Sequence, residues 1–99
     1  MIHAVFDVLG RRDIEESADW SERFTSHQEK LRSGELLRIA EVVRDLSLRE
    51  RAAGLSVGEK KLFGVAHGVL LREVGSELGL SEVEAFDRVH ETLQAPAGT

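Results

Sequence analysis

The sequence predicts an all-α fold, a compact bundle of about five helices, and three kinds of observation lead there. Apolar residues recur at three- and four-residue spacings along most of the chain, and no alternating segment of useful length suggests a strand. Asp19/Glu22, Ser56/Glu59 and Ser81/Glu84 each pair a short polar residue with a glutamate three positions on, the signature of a capped helix start. Gly10, Gly34, Gly54 and Gly79 stand where the apolar stripes stop, as left-handed caps require.

Taken in order, Ile2, Val5, Phe6 and Leu9 form the stripe of a first helix that ends at Gly10. A polar loop over residues 11–18 follows. Asp19 caps a second helix whose stripe is Trp20, Phe24, His27 and Leu31, running to Ser33-Gly34. The third helix is expected from about Glu35 to Ala53. Its Leu36, Ile39, Ala40, Val43 and Leu46 should face inward, and Arg38, Glu41, Arg44, Asp45, Arg49 and Glu50 mostly outward. The capping box Ser56/Glu59 opens a fourth helix, with Leu62, Phe63, Ala66, Val69, Leu70, Val74 and Leu78 on its apolar face. Gly64 and Gly68 interrupt that helix at a cost of about 1 kcal/mol each relative to alanine, which makes a close helix crossing there the expected reason for them. Ser81/Glu84 opens a short fifth helix striped by Val83, Phe86, Val89 and Leu93.

Composition narrows the class of protein. With 99 residues, 41% hydrophobic, the chain fits a single domain over residues 1–95, and the Ala, Pro, Gly and Thr of residues 96–99 are expected to fray. No apolar run reaches the length of a membrane span and no signal peptide pattern opens the chain, so a cytoplasmic protein is expected. Absence of cysteine excludes disulfides and thiolate metal sites. The net charge of -5 argues against coating nucleic acid by bulk electrostatics. Charge is unevenly spread, however: residues 11–61 hold eleven Lys/Arg against eleven Asp/Glu, whereas residues 62–99 hold two against six. Any cationic face therefore belongs to the first two thirds of the chain.

No catalytic constellation emerges. His3, His27, His67 and His90 lack the spacing of a metal motif and each lies at or beside an apolar stripe, so they read as ordinary helix histidines and no metal or cofactor is expected. Asp13, Glu15 and Glu16 read as solvated loop charges. No serine has the strand-turn-helix setting of a nucleophile elbow, which leaves no motif for an enzyme. Two features carry more. Lys60 and Lys61 stand in the first turn of the fourth helix, where the dipole disfavours cations; they are either solvated beside Glu59 or placed for a phosphate. Trp20, the sole tryptophan, is either a core-edge aromatic or an exposed wedge able to enter a base step or stack on an unpaired base, with Arg23 nearby for a phosphate.

The order and spacing of Asp19-Trp20-Ser21-Glu22-Arg23-Phe24, Glu29-Lys30-Leu31-Arg32-Ser33-Gly34, Ala40-Glu41-Val42-Val43-Arg44-Asp45-Leu46 and Gly54-Leu55-Ser56-Val57-Gly58-Glu59-Lys60-Lys61 resemble the C-terminal helical domain of the CarD/CdnL bacterial transcription regulators, over roughly residues 5–93. The resemblance implies that Trp20 enters the minor groove of promoter DNA at the upstream edge of the transcription bubble and favours the open complex. It implies backbone contacts from Arg23, Lys60 and Lys61, without sequence specificity. RNA polymerase would be bound through an N-terminal Tudor-like domain for which nothing here is a match, and the protein is expected to be a nucleoid-associated monomer. Family members commonly show Asn-Trp-Ser-Arg-Arg-Tyr-Lys where this chain has Asp19-Trp20-Ser21-Glu22-Arg23-Phe24-Thr25, so cations are lost and acids gained beside the indole. Weak DNA affinity is the consequence, since each lost phosphate contact takes about 0.9 from the salt-dependence slope. A helical protein-interaction module with little DNA binding is the alternative the acidic balance supports.

Overall fold

The computed structural model describes residues 2–12 and 16–95. Asp13, Glu15 and the tail at 96–99 lie outside the described residues. Five helices follow in order: α1 Ile2–Gly10, α2 Trp20–Ser33, α3 Leu36–Ala53, α4 Val57–Leu78 and α5 Glu82–Gln94. No strand occurs among the described residues, and the all-α expectation holds.

Helix α3 is the hub, in contact with each of the other four. That position explains a departure from the sequence expectation: Arg44 and Asp45, assigned outward, are buried at 6% and 4% exposure together with Val42. The middle of the helix, residues 42–46, is buried without a break and so has no solvent face to give them, although Arg38 and residues 50–53 toward the ends are exposed. Their charges are instead matched internally, Arg44 Nε donating to Asp45 Oδ1 at 2.8 Å and Arg44 Nη1 to the Val8 carbonyl at 3.3 Å. Breaking either partner would strand a buried charge, a loss of about 3–5 kcal/mol.

The core gathers Val5 and Leu9 of α1, Ile39, Val43 and Leu46 of α3, Ala66, Leu70 and Val74 of α4, and Ala85, Val89 and Leu93 of α5. On α5 the buried stripe is thus Ala85-Val89-Leu93, and Val83 and Phe86, expected inward, are exposed. Leu78 at the end of α4 is exposed too. The expected helix crossing at Gly64 and Gly68 is not found among the described residues, because a Cβ built on either glycine meets nothing within 4 Å.

Capping follows the sequence in part: Gly34 and Gly79 are left-handed C-caps, whereas Gly10 is the last residue of α1 without a positive φ, and Gly54, at φ 80° and ψ 168°, closes α3 outside the left-handed helical region. Ser56 and Ser81 make reciprocal boxes with Glu59 and Glu84. At α2 only half of the box forms: Asp19 accepts from the Glu22 N–H at 3.1 Å, but the Glu22 carboxylate turns to the Ser17 hydroxyl. The C-terminal carbonyls of α5 are met by Arg12, which donates to Leu93 O at 2.6 Å, and by Arg51, which donates to the same oxygen at 2.7 Å.

Candidate nucleic-acid interface

The starts of α2 and α4 lie side by side, and the reason is local. Phe24, one turn into α2, covers Gly58 so closely that a Cβ there would sit 3.2 Å from the Phe24 ring. Glycine at 58 is what lets the two helix ends meet. Trp20, the first residue of α2, stacks on Phe24 with centroids 4.9 Å apart and planes inclined by 12°. The indole is 44% exposed, so one aromatic ring rests on the fold and the other stands in solvent. Such a ring is pre-ordered: little rotamer freedom is left to lose on contact.

Beneath it lies Glu59, buried at 3% exposure. Burial alone would raise its pKa, yet the carboxyl is held below its usual range by the Ser56 backbone N–H and hydroxyl, the Trp20 indole and the charge of Arg49. The Ser56 N–H donates to Glu59 Oε1 at 3.0 Å, and Arg49 Nε stands 3.8 Å from Oε2. Glu59 is therefore the anionic post on which the indole, the α4 cap and the Arg49 guanidinium converge.

Of the residues singled out from sequence, Trp20 is exposed as a wedge must be, and Lys60 and Lys61 are both exposed on the first turns of α4 directly after Glu59. Lys60 turns toward a concavity of about 460 Å³ that it shares with Arg51, Leu55, Phe63 and His90. Arg23 is placed differently. It is buried at 8% exposure, its Nη1 donates to the Ser17 carbonyl at 3.0 Å and the Ala18 carbonyl at 2.8 Å, and its Nε is buried without a partner. Its guanidinium is thus committed to the loop ahead of α2 and does not share the open side of the indole as an unengaged cation.

Sequence reasoning missed Phe24 as the platform and Arg49 as the cation nearest Glu59. The first was legible, being four residues from Trp20 on one helix face. The second was not, because Arg49 and Glu59 belong to different helices and only the α3–α4 turn brings them together.

Chemically, the arrangement offers a flat exposed π face suited to stacking or insertion at a base step, with Lys60 and Lys61 as exposed cations on the helix start that Phe24 packs against. Capping occupies the Glu59 N–H, so phosphate would be met by lysine side chains more than by the helix terminus. A Bacillus subtilis (strain 168) protein named "Putative transcription factor YdeB" is 33% identical over 63 residues, covering 64% of this chain. The chain spans 41% of that relative's own length. Residues 4–90 match the family described as "CarD, C-terminal domain". Matched over most of its length, the chain belongs to the CarD C-terminal domain family, a family of transcription regulators.

Proposed function

We propose that this domain contacts promoter DNA at the upstream edge of the transcription bubble, without catalysing a reaction, and stabilises the open complex of RNA polymerase. Trp20 is the wedge, Phe24 its platform, and Lys60 and Lys61 take the sugar-phosphate backbone. The observation that carries this reading is the exposed indole fixed by stacking at the mouth of α2. Arg23 then serves by holding the Ser17-Ala18 segment that sets the angle of α2, and reaches phosphate only if it leaves those carbonyls. Affinity is low because the net charge is negative and acids stand beside the indole, so a tether to polymerase through a domain outside this chain supplies effective concentration. The protein acts as a nucleoid-associated monomer.

Binding to fork-junction DNA at low salt tests this. Trp20→Ala should weaken it by about 5- to 150-fold, the range that losing one base stack of 1–3 kcal/mol gives, with helicity unchanged. Lys60→Ala and Lys61→Ala should each lower the slope of log affinity against log salt by about 0.9. Equal binding by wild type and Trp20→Ala would rule the wedge out.

A second reading, a protein-interaction module, is favoured by one observation: Val57, Val65, Val83 and Phe86 are exposed around the open Gly64 and Gly68 stretch. A partner retained at high salt and indifferent to Trp20→Ala would support it.

A further inference from the structure

On the side of α2 where Arg23 lies, the loop ahead of that helix closes over a second polar cluster. Glu16, His27 and Asp45 each present one potential ligand atom, all within 4.8 Å of one another. His27 and Asp45 are buried at 3% and 4% exposure, and Glu16 covers them from the surface. The three residues line one concavity of about 260 Å³, whose wall also includes Ser17, Glu22 and Arg23.

The distances are the informative part. His27 Nε2 stands 3.4 Å from Asp45 Oδ2 and 3.4 Å from Glu16 Oε1. Both separations are long for a charge-assisted hydrogen bond, which closes to about 2.7–2.9 Å. A single imidazole nitrogen also has one proton or one lone pair to offer, not two. By contrast, a tetrahedral ion with ligand bonds of about 2.0–2.2 Å holds its ligand atoms about 3.3–3.6 Å from one another. Two carboxylate oxygens stand from one imidazole nitrogen at that separation, and all three atoms lie within 4.8 Å of one another, an arrangement that a shared cation could close on. We propose that Glu16, His27 and Asp45 form a binding site for a first-row divalent metal ion, with zinc as its best-fitting occupant.

The surroundings suit that role. Asp45 gives its other oxygen, Oδ1, to Arg44 Nε at 2.8 Å, which fixes the carboxylate and leaves Oδ2 turned toward the histidine. Orientation of a ligand by a neighbouring donor is what metal sites use to pre-set their geometry. The nearest lysine, Lys30, is engaged by Glu41 at 2.8 Å. One nitrogen and two oxygens favour zinc or its first-row neighbours over calcium and magnesium, which prefer all-oxygen sites. An ion here would tie the segment before α2 to α3 and so stiffen the base from which Trp20 projects.

Calorimetric titration of chelator-stripped protein with zinc sulfate, using the full chain, tests the site. The expected result is saturable one-to-one binding, a rise in melting temperature with zinc concentration, and movement of the His27 ring signals in NMR spectra. Glu16→Gln changes only the exposed member, leaves the buried pair intact for folding, and should weaken zinc by at least about tenfold. His90→Gln removes the competing His67–His90 pair and should leave zinc affinity unchanged. Absence of one-to-one binding, affinity indifferent to Glu16→Gln, or binding lost in His90→Gln would each overturn the proposal.

Discussion

Trp20 and Arg23, three residues apart on α2, meet opposite surroundings: the indole is exposed and the guanidinium is buried against backbone carbonyls. Their substitutions should separate accordingly. Arg23→Ala removes the donor to the Ser17 and Ala18 carbonyls and should lower stability by about 1–3 kcal/mol in urea unfolding, with the salt slope of DNA binding nearly unchanged. A lower slope with unchanged stability would return Arg23 to the phosphate contacts. Sequence spacing could place both residues at the start of one helix. It could not assign their exposure, because the carbonyls that engage Arg23 belong to a loop with no periodicity to read.

At the scale of the element, α4 contains glycines with opposite physical reasons. Gly58 is required, since a methyl there would press on the Phe24 ring at 3.2–3.3 Å, whereas Gly64 and Gly68 face open space. Gly64→Ala and Gly68→Ala should therefore each stabilise the isolated domain by up to about 1 kcal/mol through helix propensity, as thermal or urea melts can show. Gly58→Ala should displace Phe24 and shift the emission of the Trp20 stacked on it. Destabilisation by Gly64→Ala would contradict an open face there. Helix starts and stops were legible because capping is written in local residues, as at Ser56/Glu59 and Ser81/Glu84. Inward faces were less so. Phe86 is as apolar as Val89, and only the direction from which α4 approaches α5 decides which of them is covered.

Across the whole molecule, long-range pairs that no spacing rule anticipates set the response to pH. His67 and His90 join α4 to α5, Nε2 to Nε2 at 2.9 Å, with Phe86 stacked on His90 at 4.1 Å and Phe63 on His67 at 5.1 Å. Burial lowers the His67 pKa and the neighbouring His90 lowers it further. His90 is lowered by burial and by Arg51, against an opposing pull from Asp87. Each histidine thus binds its proton less readily in the folded state than in the unfolded chain, where the pKa is about 6.5. Stability should fall as pH drops through that unfolded value, then level off with respect to this pair once the folded histidines are protonated. Melting temperatures measured from about pH 7.5 to 5.5 should show the loss, and His90→Gln should flatten it. Carboxylates act lower: Glu59 and Asp45 are both depressed, so their stabilisation is present above the ordinary carboxylate range and fades as acid titrates them in place. The fold class and helix order were legible from periodicity and caps. The grouping of Glu16, His27 and Asp45 was not, since three helically unrelated positions meet only after α2 and the loop ahead of it dock on α3.

The most direct test of the central claim is the fluorescence of Trp20 during titration with fork-junction DNA at low salt, read beside the amide shifts of α2. A wedge that enters or stacks on opened duplex predicts saturable quenching of the indole, reversed by added salt, with the largest shifts at the start of α2. Unchanged emission and unchanged α2 shifts at saturating DNA would contradict it.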